Sequence, residues 1–339
     1  MQDRVLEKTM EPALAVSDLN VEILGENGAF PVVSEMSLSV RPGETVCIVG
    51  ESGCGKSMTA LSLLRLLPDS ARIASGSIRI HGEDFLAMGG RQVEDFRGDK
   101  IAMIFQEPLT ALNPVLTIGE QIAESVRQHR KLGKREAFAR AVKCLELVQM
   151  PDPSRRARQF PHELSGGMRQ RAMIALALAC EPKIIIADEP TTALDVTVQA
   201  QILGLISDLQ KRLGTAQVLI THDLGVVAEI ADRVIVMYAG RRVEECSVYE
   251  LFDNPIHPYT IGLMGAVARA ASHDGEAQTA PERLTDIPGT VPPLWDLPKG
   301  CAFAPRCPGA SARCLEERPP FIEKTPGHFA ACWEHDNVR

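Results

Sequence analysis

The run Gly50-Glu51-Ser52-Gly53-Cys54-Gly55-Lys56-Ser57 limits what this chain can fold into more than any other stretch. It fits the pattern G-x4-G-K-[ST], in which glycines let successive backbone N–H groups turn inward around an anion. Before it, Thr45–Val49 is a short apolar, β-branched run that reads as a buried strand. After it, apolar periodicity predicts a helix over residues 57–67, stopped by Pro68. A helix starting there aims its positive end at the same anion. The unit therefore reads as a nucleotide-phosphate cradle framed by Gly50, Ser52, Gly53, Cys54, Gly55 and Met58. Lys56 supplies a point charge to the β- and γ-phosphates, and the Ser57 hydroxyl ligates Mg²⁺. A purely structural glycine turn is the bland alternative, and the strand-to-helix placement argues against it.

The rest of the chain supplies the sheet such a unit needs. Residues 14–24, 36–40, 78–81 and 101–105 read as strands, and Arg41-Pro42-Gly43-Glu44 as a turn. Then charged helical periodicity takes over, in Ile118–Arg130 and residues 134–148, as a helical insertion over about 107–165. From Leu164 the alternation resumes: helix 168–180, strand 183–187, helix 197–213, strand Ala216–Ile220, helix Leu224–Ile230 and strand 233–237. Strands alternating with helices imply an α/β fold with a mostly parallel sheet covered on both faces. With 339 residues the chain exceeds one ordinary domain. The expected division is a core over 13–258 and an extension over 259–339. A short helix over 260–271 and a polar linker over 272–282 lead into a Pro- and Cys-rich tail of little periodicity.

Two more segments carry chemistry. Lys183-Ile184-Ile185-Ile186-Ala187-Asp188-Glu189 is an apolar strand ending in two carboxylates. Beside a phosphate cradle, Asp188 is placed to hold the Mg²⁺ shell and Glu189 to polarise a water that attacks the γ-phosphate. Leu164-Ser165-Gly166-Gly167-Met168-Arg169-Gln170 puts a hydroxyl, flexible amides and a helix start together, a second anion-seeking group in one chain. This segment resembles the signature motif of the ABC ATPases, and the resemblance covers about residues 13–250. It implies a P-loop NTPase core in which two such domains pair head to tail. Ser165, Gly166 and Gly167 would then close over ATP held by the other domain's P-loop. It also implies that Gln106 is the Q-loop glutamine that senses Mg²⁺ and hinges the insertion. By the same resemblance Ala193-Leu194-Asp195 is the D-loop, His222 the switch histidine at the γ-phosphate, and Phe30 the aromatic residue stacked on adenine.

Three further stretches are similar to the dipeptide and oligopeptide importer ATPases. They are Ala111-Leu112-Asn113-Pro114, His257-Pro258-Tyr259-Thr260, and Ile287-Pro288-Gly289-Thr290-Val291-Pro292-Pro293 leading into Cys301–Pro308. The residues after the P-loop look like the first of that family's two ATPase paralogues, so a heterodimer with a second ABC ATPase is expected ahead of a homodimer. The resemblance implies two transmembrane permease subunits, an extracytoplasmic substrate-binding protein, and uptake of di- or oligopeptides. Nickel, glutathione and oligosaccharides stay open as substrates of the same importer class. A soluble ABC mechanoenzyme is the rival from another class; one P-loop, no heptad run and an acidic balance speak against it.

The net charge of −8 argues against a nucleic-acid partner, and Arg155, Arg156 and Arg158 read as a solvated face. No leader-like apolar segment opens the sequence, and its longest fully apolar run, residues 172–180, is too short to span a bilayer. The expected location is peripheral, at the cytoplasmic face of the inner membrane. Of nine cysteines, Cys301, Cys307, Cys314 and Cys332 crowd the tail at spacing C-x5-C-x6-C-x17-C. Four thiolates suit a [4Fe–4S] cluster or tetrahedral Zn²⁺, and free thiols are the plain alternative. The absence of C-x2-C pairs favours iron–sulfur over zinc. Resemblance to the importer extension, where some members carry such a cluster, points the same way.

Overall fold

The computed structural model describes residues 11–25, 28–191, 195–271 and 287–334. Its strands are β1 (Leu14–Gly25), β2 (Gly28–Val40), β3 (Thr45–Val49), β4 (Ala71–Ile80), β5 (Glu83–Asp84), β6 (Ile101–Ile104), β7 (Ile184–Asp188), β8 (Ala216–Ile220), β9 (Arg233–Tyr238), β10 (Arg241–Ser247), β11 (Ile322–Thr325) and β12 (His328–Ala330). The main sheet runs β11-β12-β10-β9-β3-β8-β7-β6. Strands β9, β3, β8, β7 and β6 are mutually parallel, and β10, β12 and β11 continue the sheet antiparallel.

Side-chain alternation along the parallel strands divides the core in two. Val46, Ile48, Ile184, Ile186, Val218 and Ile235 face one layer, and Cys47, Val49, Ile185, Ala187, Leu219 and Val234 face the other. Helices Gly166–Leu178 and Val196–Leu213 and the insertion helices Ile118–Arg130 and Lys134–Leu147 cover the second layer. The first layer is covered by helix Lys56–Leu63 and by a separate antiparallel sheet, β2-β1-β4-β5. That second sheet was not expected from strand–helix alternation. The join between β1 and β2 spans only Gly25 to Gly28, too short for a parallel crossover, and therefore makes a hairpin.

Two local expectations are corrected. The helix after the glycine loop ends at Leu63, short of Pro68, because Arg65 adopts a left-handed φ of 54°. Arg65 N–H then bonds the Ser62 carbonyl at 3.0 Å and Leu66 N–H the Leu61 carbonyl at 2.8 Å, closing the helix. The tail, which shows little periodicity, contributes β11 and β12, of 4 and 3 residues, too short to leave a periodic signal. Its Phe303 is part of the second core layer.

Candidate active site

Parallel strands deliver their functional residues at one edge, where each carboxyl end opens into a loop. The glycine loop follows β3, His222 follows the adjacent β8, Asp188 and Glu189 end β7, and Gln106 follows β6. They meet at a cavity of about 590 Å³ lined by Ser52, Gly53, Gly55, Lys56, Ser57, Met58, Gln106, Glu189 and His222. Its apolar lining comes from Ile23, Val32 and Leu294.

The loop's backbone dictates its glycines. Gly50 has φ 153°, and a Cβ there would lie 2.3 Å from the Met237 carbonyl oxygen. Gly55, at φ 100°, would place one 2.6 Å from the Val32 carbonyl oxygen. No side chain fits either position. Lys56 is nearly buried, and its Nζ donates to the carbonyls of Gly50 at 2.7 Å and Glu51 at 3.1 Å. The loop thus holds the ammonium at its own mouth.

Glu189 sits between two polar neighbours. Gln106 Nε2 donates to its Oε2 at 3.0 Å, and His222 Nδ1 lies 3.3 Å from its Oε1. Its φ of 43° is left-handed, an uncommon state for a non-glycine residue and one that clusters at functional sites. Asp188 is buried, and burial raises its pKa; the Ser57 hydroxyl bond pulls the other way, Glu189 pushes it up again, and Lys56 lowers it. Its Oδ1 is a buried oxygen with no hydrogen-bond partner. A hydroxyl, an unpartnered carboxylate oxygen and an amide oxygen form the hard-oxygen donor set that Mg²⁺ prefers, so Ser57, Asp188 and Gln106 fit that ion.

Known proteins resemble this chain over most of its length. The ABC transporter family matches residues 33–192, and the oligopeptide/dipeptide transporter C-terminal region matches residues 243–314. A probable peptide ABC transporter ATP-binding protein of Sinorhizobium fredii is 52% identical over 96% of both chains. The oligopeptide transport ATP-binding protein OppD of Salmonella typhimurium is 48% identical, over 95% of this chain and 93% of its own length. The chain belongs to the oligopeptide/dipeptide family of ABC transporter ATP-binding subunits. Dipeptide transport protein DppD of Bacillus subtilis, at 46% identity over 96% of both chains, is another relative. Among solved structures, the ATP-binding cassette MJ0796, a dimer in a post-hydrolysis state bound to ADP and Pi, superposes with a TM-score of 0.63 at 29% identity. That alignment covers 69% of this chain and 98% of the cassette. The fold is that of an ABC ATPase cassette, and the subunit is an ATPase.

In this ABC subunit the remaining predicted residues fall into three groups. Ser165 caps helix Gly166–Leu178, accepting from Met168 N–H at 3.4 Å, and neither it nor Gly166 nor Gly167 lines the cavity. Asp195 caps helix Val196–Leu213, while Ala193 and Leu194 lie outside the described residues. Phe30 is half-buried and meets Trp295 edge to face at 6.1 Å; the cavity's lining has Ile23, Val32 and Leu294 instead. Leu294 lies 72 residues beyond His222 and outside every motif, so nothing in the sequence marks it.

The four tail cysteines converge. Cys301, Cys307, Cys314 and Cys332 line one small pocket with Phe303 and Trp333. Cys301 N–H bonds the Cys314 carbonyl at 2.8 Å, and Gly300 permits that approach, since a Cβ there would lie 2.3 Å from the same oxygen. Burial raises the thiol pKa values of Cys301 and Cys307 and pushes Cys332 up to about 11. Among the described residues, no helix is long and apolar enough to cross a membrane.

Proposed function

We propose that this ABC ATPase drives uptake of di- or oligopeptides through two membrane permeases, paired with a second, related ATPase. The observation behind the reading is that Lys56, Ser57, Gln106, Glu189 and His222 share one cavity in a chain whose relatives are named for peptide transport. In this reading water attacks the γ-phosphorus, the bond to the β–γ bridging oxygen breaks, and ADP and phosphate leave. Glu189 holds and polarises the water, and Lys56 and His222 stabilise charge developing on the γ-phosphoryl oxygens. Ser57, Asp188 and Gln106 would hold Mg²⁺, which when bound would supply positive charge to the phosphates. Ser165, Gly166 and Gly167 serve the nucleotide of the other ATPase, in keeping with their position off this chain's own cavity. The subunit is peripheral at the cytoplasmic face of the membrane, and an extracytoplasmic binding protein selects the peptide.

The four tail thiols hold a [4Fe–4S] cluster in this reading. Support comes from their shared pocket, which brings four thiol donors together. Four thiolates without C-x2-C pairs suit that cluster better than structural zinc. The cluster would staple a tail that has little core of its own. Vesicles containing the chain, its permeases and the second ATPase test the whole. ATP-dependent accumulation of labelled peptide is expected, and failure of the chain to copurify with any integral membrane protein would contradict it.

A further inference from the structure

The C-terminal extension touches the glycine loop through Glu51, a residue that the phosphate-binding pattern leaves unspecified. Arg306 lies on a short 3₁₀ turn, Ala304–Arg306, immediately before Cys307, and is only 8% exposed. Its Nη1 donates to Glu51 Oε2 at 2.7 Å and its Nη2 to Glu51 Oε1 at 3.0 Å, a bidentate fork. Nε bonds the Pro288 carbonyl at 2.9 Å, Nη2 also the Ile287 carbonyl at 3.1 Å, and Nη1 also the Tyr238 hydroxyl at 3.3 Å. The five bonds use all five guanidinium N–H groups, so the side chain has one orientation.

Glu51 is held on its other groups too. Its N–H donates to the buried Tyr259 hydroxyl at 2.7 Å, and its carbonyl accepts from Lys56 Nζ at 3.1 Å. An unbroken line of polar contacts thus runs from Arg306 through Glu51 to the phosphate-binding lysine. A second contact joins the same two parts: Leu294, from the extension, forms part of the cavity's apolar wall.

We propose that the extension is a working part of the nucleotide site, with Arg306 as a positioning residue for the glycine loop and Leu294 as a wall for the nucleoside. The inference rests on the cavity being the ATP site. The loop's anion affinity depends on its N–H groups and Lys56 being held in place before phosphate arrives. Arg306 and Tyr259 fix the loop's second residue from outside, where they touch no phosphate themselves. Since Arg306 sits between Cys301 and Cys307, whatever orders the four-thiol knot also orders this strut.

The test is calorimetry on the full chain with Mg-ATP and with inorganic tripolyphosphate, which lacks the nucleoside. Arg306→Gln should weaken both ligands by about tenfold, because a charged two-bond clamp on the loop is lost. In a Glu51→Gln background the same substitution should add nothing, since the two residues act as one unit. Leu294→Ala should weaken ATP while leaving tripolyphosphate unchanged. Tyr259→Phe, which removes one hydroxyl and keeps the buried ring, should weaken both ligands by roughly threefold and serves if Arg306→Gln fails to fold. Lys56→Ala is the control. Unchanged affinities for Arg306→Gln and Tyr259→Phe beside a weakened Lys56→Ala would overturn the proposal and leave the site reading intact. An unchanged Lys56→Ala would overturn both.

Discussion

Replacing Glu244 by glutamine should loosen the C-terminal extension from the ATPase core, because this buried carboxylate is one of the ties between them. It lies on β10 and is 0% exposed. Oε1 accepts from Ile256 N–H at 2.7 Å and pairs with His328 Nε2 at 2.7 Å, and Oε2 accepts from His257 N–H at 2.9 Å. Glutamine fills the same volume, but its NH₂ must face at least one of these donors. Stranding a buried donor costs about 1–3 kcal/mol, and the surviving bonds lose the charge that made each worth roughly 1.5–3 kcal/mol. A loss of about 3–4 kcal/mol follows, or a fall of about 5 °C in melting temperature for a chain of this length. Burial pushes the Glu244 pKa up, and the bonds from His328, Ile256 and His257 outweigh that and hold it below its ordinary value. A folded-state pKa lowered in this way stabilises fully above the unfolded value of about 4.3, and that stabilisation is lost as the pH falls. Thermal unfolding of both proteins should therefore show a gap that is widest near neutrality and closes below about pH 4. Melting temperatures within about 2 °C of each other at neutral pH would refute the assignment of this carboxylate as a tie.

Three further outcomes follow from the site. Lys56→Ala should weaken Mg-ATP binding by one to two decades, from loss of a charge-assisted contact of about 1.5–3 kcal/mol; calorimetry reads it directly. Ser165→Arg should leave ATP affinity of the isolated subunit intact and abolish turnover in the assembled transporter, and loss of binding by the isolated subunit would place residue 165 in its own site. Anaerobically purified protein should be brown, with visible absorbance that disappears in Cys301→Ser; colourless protein with stoichiometric zinc, or metal-free protein with four alkylatable thiols, would remove the cluster.

The parallel core was legible because each strand is an apolar run whose end carries a recognisable residue. Asp188 and Glu189 close β7, and His222 follows β8, so strand order alone gathers them beside the P-loop. Long-range contacts were not legible. Arg306 and Glu51 are 255 positions apart, and nothing in a Pro- and Cys-rich tail marks an arginine as the partner of a loop glutamate. Leu294 is an ordinary leucine until the fold brings it to the cavity wall. The early end of helix Lys56–Leu63 belongs to the same class: Arg65 Nη1 bonds the Phe85 and Met88 carbonyls, at 3.1 Å and 2.7 Å, and these distant anchors hold the residue that closes the helix. Tyr259 was visible as part of His257-Pro258-Tyr259-Thr260, but its hydroxyl's role on Glu51 needed the structure.

The central claim is that this chain hydrolyses ATP with Glu189 as the residue that activates water. The direct measurement is ATP turnover and nucleotide occupancy of the reconstituted transporter carrying Glu189→Gln, with the partner ATPase's corresponding site also inactivated so that no second site hides the effect. Amide for carboxylate removes the group that polarises water and leaves Lys56, Ser57 and Asp188 in place, so the variant should bind Mg-ATP as tightly as wild type. It should also stay closed around it, with turnover reduced by at least about a hundredfold. Turnover near the wild-type rate would contradict the account.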